Sequence, residues 1–133
     1  MVTPRFMLDT NICIYIMSRT PEQVAQRMDQ CRPGEVVMSS ITYAELTVGI
    51  LMANDSAQAR KQLDLLVAAA PVVAFDQSAA TAYGPIRLAT KERKKDLMDK
   101  LIASHAAALG VVVVTNNIDD FKVYPGITIE NWV

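Results

Sequence analysis

Two cysteines, one histidine and no apolar run near the roughly 20 residues needed to cross a bilayer close off several classes of function in this 133-residue chain. Cys13 and Cys31 lack metal-ligand spacing, so they read as buried thiols rather than a disulfide or part of a zinc site. His105 lies among alanines on a helical pattern, which makes it a packed or surface residue and leaves no Ser-His-Asp arrangement. No glycine-rich phosphate loop of the Walker or dinucleotide type is present. The opening residues hold no apolar stretch of signal-peptide length, so the expected address is cytoplasmic, away from any membrane. A net charge of −1 excludes a protein that coats nucleic acid through its whole-surface field. Any phosphate binding must therefore be local. The local candidate is Lys91-Glu92-Arg93-Lys94-Lys95, preceded by Arg87; its plain alternative is a solvated helix end whose cations complement the helix dipole.

What is present describes a folding chain. Apolar residues make up 51% of it and charged residues 20%, which separates it from disordered sequences, and its length suits one domain across residues 1–133. Arg5 to Leu8 reads as a short buried strand, followed by side-chain oxygens at Asp9, Thr10 and Asn11 suited to capping a helix through Ile16. A second helix is expected from Pro21 to about Gln30 and a strand from Glu35 to Ser39. Ser40 is placed to cap a helix from Ile41 to Met52. A helix through Leu63 and Leu66 precedes a strand-like run from Pro71 to Phe75. Asp76 caps the next helix, which Gly84-Pro85 should kink or interrupt. A helix from Leu97 to Leu109 ends at Gly110, and Val111 to Val114 is the strongest strand signal in the chain. A short turn through Phe121 leads to a last strand near Ile127 to Ile129. Strands alternating with helices give an α/β sandwich with a mostly parallel central sheet.

Ligands of such sheets gather at the carboxyl ends of the strands, where Asp9 and Thr115-Asn116-Asn117 both fall. Glu45 and Asp99 occupy the opening turns of helices, where the dipole favours an ionised carboxylate. Each has a plain alternative: Asp9 as a helix cap, Glu45 as a solvated glutamate, Asp99 as a stray charge. Asp99 nevertheless shares a face with Ile102, Ala103 and Ala106, an odd position for a charge without a partner. Carboxylates and amides form the hard-oxygen set that Mg²⁺ or Mn²⁺ prefers. Several carboxylates in one pocket would repel one another unless a divalent cation shared them, and phosphodiester hydrolysis is the natural chemistry of such a centre.

The order of these pieces is informative: Met7-Leu8-Asp9-Thr10-Asn11, then Ser39-Ser40-Ile41-Thr42-Tyr43-Ala44-Glu45-Leu46, then Asp99-Lys100-Leu101-Ile102-Ala103-Ser104-His105-Ala106, then Val113-Val114-Thr115-Asn116-Asn117. Together they resemble the VapC toxins of the PIN-domain family, over residues Phe6 to Trp132. The resemblance implies a PIN-like α/β/α sandwich and a Mg²⁺-dependent endoribonuclease, with Mn²⁺ as a substitute. It implies a type II toxin whose activity is held by a VapB-like antitoxin, with cellular RNA, tRNA included, as substrate. It also implies a homodimer assembling into a larger toxin–antitoxin complex. Carried residue by residue, it makes Asp9 and Asp99 the principal metal ligands and Glu45 a further acid that binds metal or positions water. Asn117 stands where many PIN domains have a fourth acid. Thr10 and Thr115 would brace the pocket by hydrogen bonds, with Asn11 beside them, and Arg87, Arg93, Lys94 and Lys95 would contact RNA.

Two departures bear on this transfer. Arg93 to Met98 replaces the Gly/Pro-containing loop common before the third acid, which makes Asp96 a rival ligand. Asn117 lowers the charge of the site, so one ion is expected, with Asp119 or Asp120 as substitutes for a second. These departures motivate an alternative: a PIN-like binding module with weakened turnover. Haloacid-dehalogenase chemistry is excluded because Asn11 occupies the position of its second aspartate. A response-regulator receiver is disfavoured by the poor match of Val72 to Asp76 to its phosphoacceptor strand. The apolar excess of the helices over Ile41–Met52 and Gln62–Ala70 reads either as a well-covered core or as an interface for another subunit or an antitoxin segment.

Overall fold

A computed structural model describes residues 2–133; Met1, the first of the opening residues read above, lies outside them. Strand β1 (Phe6–Leu8) is buried along its whole length, as an apolar run without alternation requires. Phe6 and Leu8 face one core and Met7 the other, the two-residue period of a strand covered on both sides. Asp9 ends the strand and caps α1 (Thr10–Ser18), which is followed by α2 (Glu22–Asp29) and β2 (Val36–Ser39). Next come α3 (Ser40–Met52), α4 (Ser56–Ala69) and the short β3 (Val72–Val73). The second half holds α5 (Gln77–Ala89), α6 (Leu97–Leu109), β4 (Val112–Val114), α7 (Ile118–Phe121) and β5 (Thr128–Glu130).

Among the described residues the strands form one sheet in the order β3-β2-β1-β4-β5, with every pairing parallel. The sheet is thus wholly rather than mostly parallel. Parallel neighbours need crossovers, and the helices that make them bury the two faces. One face packs Ile12, Val24, Leu46, Leu63 and Trp132; the other packs Ile86, Ile102, Ala106, Phe121 and Tyr124.

Three local expectations are corrected. The cap of α3 is Ser39, whose Oγ accepts from Ile41 N at 3.1 Å, while Ser40 Oγ accepts from Phe75 N at 3.0 Å and ties β3 to α3. Only Val72–Val73 of the run Pro71 to Phe75 pairs as strand. Helix α5 continues through Pro85 instead of breaking. Gly84 explains the tolerance, because the residue before a proline normally leaves the helical region through a clash involving its Cβ, which glycine lacks. Packing of Ala79 and Ile86 then holds α5 on α6, the most extensive helix pair in the molecule.

Candidate active site

Register places the first two site residues. Leu8 lies opposite Val114, and Asp9 N donates to Val114 O at 3.0 Å, so Asp9 and Thr115 leave the sheet side by side at its carboxyl edge. Asp9 Oδ1 accepts from Ile12 N at 3.0 Å, which satisfies one of the free amides opening α1. The side chain is therefore the predicted cap. It is also a carboxylate only 5% exposed, more buried than capping needs. Burial raises its pKa, the Thr115 hydroxyl and the Ile12 amide pull it back, and the charge of Glu45 adds to the rise.

Thr10 joins α1 to α3. Its hydroxyl donates to Glu45 Oε1 at 2.6 Å, bringing Glu45 to the edge where Asp9 sits. Asp99, in the first turn of α6, completes the group from the other side. Its pKa is pushed up to about 6, first by burial and then by the charges of Asp9, Asp120, Glu45 and Asp96. A helix N-terminus stabilises a carboxylate, so this rise measures how strongly burial and like charge oppose ionisation. Among the described residues no lysine or arginine pairs with Asp9, Glu45 or Asp99.

Other sequence candidates are placed differently. Thr115 Oγ1 accepts from Asn117 N at 2.9 Å, leaving its own proton for Asp9. The Asn117 side chain makes no cap bond to α7. Asn11 is exposed, and no hydrogen bond among the described residues ties it to the site. Asp96, the rival candidate, is engaged by other side chains: its Oδ2 accepts from the Tyr124 hydroxyl at 2.6 Å, and its Oδ1 faces Lys100 Nζ at 2.9 Å. Burial alone would raise the Asp96 pKa, but Tyr124, Lys100 and Arg93 outweigh it and hold the carboxyl below its ordinary value. Asp119 pairs with Lys122 and Asp120 with Arg93. Arg93, expected to contact RNA, is an internal strut, donating to Asp120 O at 2.8 Å and to Asp120 Oδ1 at 3.1 Å. Lys94 and Lys95 remain exposed, and Arg87 is half-buried beside them.

The donor set suits a hard divalent cation. Among the described residues no three His, Cys, Asp or Glu side chains close into a ready-made coordination cluster. Mg²⁺ does not need one, since it commonly takes one or two carboxylates and completes its shell with water and substrate phosphate. Asp9 and Asp99 supply two such carboxylates, coupled through space and without a cation of the protein's own. One turn before Glu45, the fully buried Thr42 hydroxyl has no hydrogen-bond partner.

Sequence reasoning missed Lys100, Tyr124 and Thr42. Lys100 did leave a signal, a cation inside the apolar pattern of Leu97–Leu109. Tyr124 left none, because its partner Asp96 is 28 residues away. His105, read as a packed or surface residue, is buried, with Nδ1 2.8 Å from Ser39 Oγ and its ring edge-on to Phe75.

Comparison with known proteins gives the family and the fold. Residues 6–127 match the PIN domain family. The chain is 38% identical over 133 residues to a tRNA(fMet)-specific endonuclease VapC of Salmonella typhimurium, covering 96% of this chain and 98% of that protein. It is 34% identical to Ribonuclease VapC2 of Rickettsia felis, covering 96% and 97%. Among solved structures, a DNA-bound VapBC from Salmonella typhimurium superposes with a TM-score of 0.89 at 35% identity, covering 98% of this chain and all of that one. VapBC2 from Rickettsia felis bound to a promoter DNA fragment gives a TM-score of 0.85 at 32% identity, over 96% and 98%.

Proposed function

The chain belongs to the PIN-domain family, on its VapC branch, and from that premise we propose that it is the ribonuclease toxin of a toxin–antitoxin pair, hydrolysing RNA phosphodiesters with Mg²⁺. The observation that carries the reading is the convergence of Asp9, Glu45 and Asp99 without a protein cation between them. A bound Mg²⁺ would orient a phosphodiester, offset charge on its oxygens and acidify an attacking water.

The chain's own residues supply the rest. Asp9 and Asp99 would hold the ion, Asp9 fixed by the Ile12 amide and the Thr115 hydroxyl. Glu45 Oε1 is occupied by Thr10, which leaves Oε2 to accept a proton from water. Thr115, itself fixed by Asn117 N, favours the ionised form of Asp9 by donating to it, against the larger rise that burial causes. RNA, and tRNA in particular, is the substrate this reading favours, because relatives across the full chain carry ribonuclease and tRNA endonuclease names. The chain would act in the cytoplasm; no helix among the described residues is long and apolar enough to cross a membrane.

A VapB-like antitoxin is the partner, supported by the VapBC complexes among the structural neighbours and by an apolar groove. Ile14, Met17, Leu46 and Ile50 line a cavity of about 240 Å³ that also includes Glu45. Val48, Leu51, Met52 and Leu65 stay exposed on the same helices, so those over Ile41–Met52 and Gln62–Ala70 carry a free apolar surface as well as a core face. A segment seated there would lie against Glu45 and obstruct the site. A second copy would cover Leu88, Leu97 and Met98, exposed at the α5–α6 end, to make the homodimer; sedimentation of the isolated chain checks that state.

The test uses chain freed of its partner. With Mg²⁺ or Mn²⁺ it should cut RNA, EDTA should stop it, and folded Asp9→Asn and Asp99→Asn variants should be slower by about a hundredfold or more. Cleavage surviving both substitutions contradicts the site. Folded wild type that binds RNA or antitoxin without cutting supports the binding-module alternative.

A further inference from the structure

The loop between α5 and α6, residues 90–96, carries Lys91, Arg93, Lys94 and Lys95. Lys100 lies beneath it, 2% exposed, with Nζ 2.6 Å from Arg93 O, 3.2 Å from Thr90 O and 2.9 Å from Asp96 Oδ1. A lysine in the opening turns of a helix opposes the dipole, and a buried ammonium is costly to desolvate, so this placement needs a reason. The three contacts give one: a cation inside the helix collects the carbonyls and the carboxylate of the loop before it.

Two further ties fasten the same loop from outside. Arg93 crosses to Asp120, pairs with Asp96 Oδ2 at 3.5 Å and lies 5.6 Å above the Tyr124 ring. The Tyr124 hydroxyl closes the set on Asp96. Burial and the negative Asp96 both favour the protonated phenol, so Tyr124 remains a donor. The loop is thereby tied at Thr90, Arg93 and Asp96, while Lys91, Glu92, Lys94 and Lys95 are exposed and outside every ion pair among the described residues. Lys94 and Lys95 border a cavity of about 500 Å³ whose other walls include Asp99 and Asp120.

We propose that the Lys100–Asp96–Tyr124–Arg93 clasp is a positioning device that holds Lys94 and Lys95 over the carboxylate site, where they take the phosphates of the RNA strand next to the scissile bond. The ligand in this statement rests on the ribonuclease reading; the clasp rests on geometry alone. RNA approaching a group of carboxylates meets like charge, and fixed cations at the rim offset it without entering the site. Lysines suit the task as mobile point charges on a fixed backbone.

Removing Lys100 would strand Asp96 and endanger folding, so the informative change is Tyr124→Phe, which keeps the ring against Phe121 and beneath Arg93. It should raise the KM for an RNA oligonucleotide about fivefold with kcat within about twofold, a loss of binding rather than chemistry. A Lys94→Ala/Lys95→Ala variant should raise KM at least as far and flatten the salt dependence by about 0.7 per lysine in log–log slope. Adding Tyr124→Phe to it should do little more, since both act through the same contacts. Multiplying effects, or a fall in kcat at unchanged KM, would overturn the proposal. Amide hydrogen exchange of the whole protein separates the clasp from the ribonuclease reading. Exchange at residues 91–95 should quicken about tenfold or more in Tyr124→Phe while β4 is unchanged. Unaltered exchange overturns the clasp whatever the protein cleaves, and a wild type that neither binds nor cuts RNA overturns the ligand.

Discussion

At Asp99 two opposing influences meet on one carboxyl: a helix N-terminus that favours charge, and burial with four neighbouring acids that resists it. The resisting side prevails, raising the pKa to about 6. The folded protein therefore holds this proton more tightly than the unfolded chain, whose aspartates titrate near 3.8. Stability from the neutral form is present at low pH and is lost as pH rises from about 4 through 6. Asp99→Asn, which cannot ionise, should thus stabilise the metal-free protein at pH 7.5, by roughly 1 kcal/mol after screening by solvent is discounted, and confer almost nothing at pH 4. Thermal midpoints of the two proteins across that range check it; equal midpoints at pH 7.5 contradict the repulsion. Asp9 illustrates what a sequence can hold at this scale. Its place at a strand end before a helix was legible, but capping and ligation demand the same residue, and its burial and the nearby Glu45 and Asp99 charges were not readable from its position. The ion pairs of Arg93 were not legible, because charge along the sequence cannot tell a solvated cation from one paired with Asp120 and Asp96.

Among the elements, the junction of β2 and α3 bears most on the site because α3 carries Glu45. Ser39 is fully buried there, its Oγ accepting from Ile41 N and sharing a hydrogen bond with His105 Nδ1 at 2.8 Å, so it caps α3 and pins α6 with one hydroxyl. Burial lowers the His105 pKa against a smaller opposing pull from Asp76, which favours the neutral imidazole in this contact. Ser39→Ala removes the cap and leaves the imidazole nitrogen unsatisfied, and should cost about 2–3 kcal/mol. Urea denaturation measures it, and a loss under 0.5 kcal/mol would contradict the double role. Helix and strand positions were largely legible from apolar periodicity. The cap was assigned one residue late because Ser39 and Ser40 are both good caps, and the choice between them was made by His105, 66 residues away. Helix α5 was expected to kink or break at Gly84-Pro85 because the lost donor and steric clash of proline were weighed above the room the preceding glycine leaves.

Across the whole molecule, the parallel order β3-β2-β1-β4-β5 brings the ends of β1 and β4 together at the centre of the sheet, and every acid of the site is delivered to that edge. Alternation of strands with helices made this architecture readable, and resemblance ordered the acids within it. What stayed hidden was long-range: the clasp joining residues 90–100 to 120 and 124, and the buried cation beneath it. Asp9, Glu45 and Asp99 lack a pairing lysine or arginine among the described residues, and the proposed ion would supply the missing positive charge. Titration of the metal-free chain with Mn²⁺, followed by electron paramagnetic resonance of the free ion, tests that most directly. One Mn²⁺ should disappear per wild-type chain, with binding weakened about tenfold or more in folded Asp9→Asn and Asp99→Asn variants. Equal binding by all three proteins would contradict the claim that Asp9 and Asp99 hold the ion.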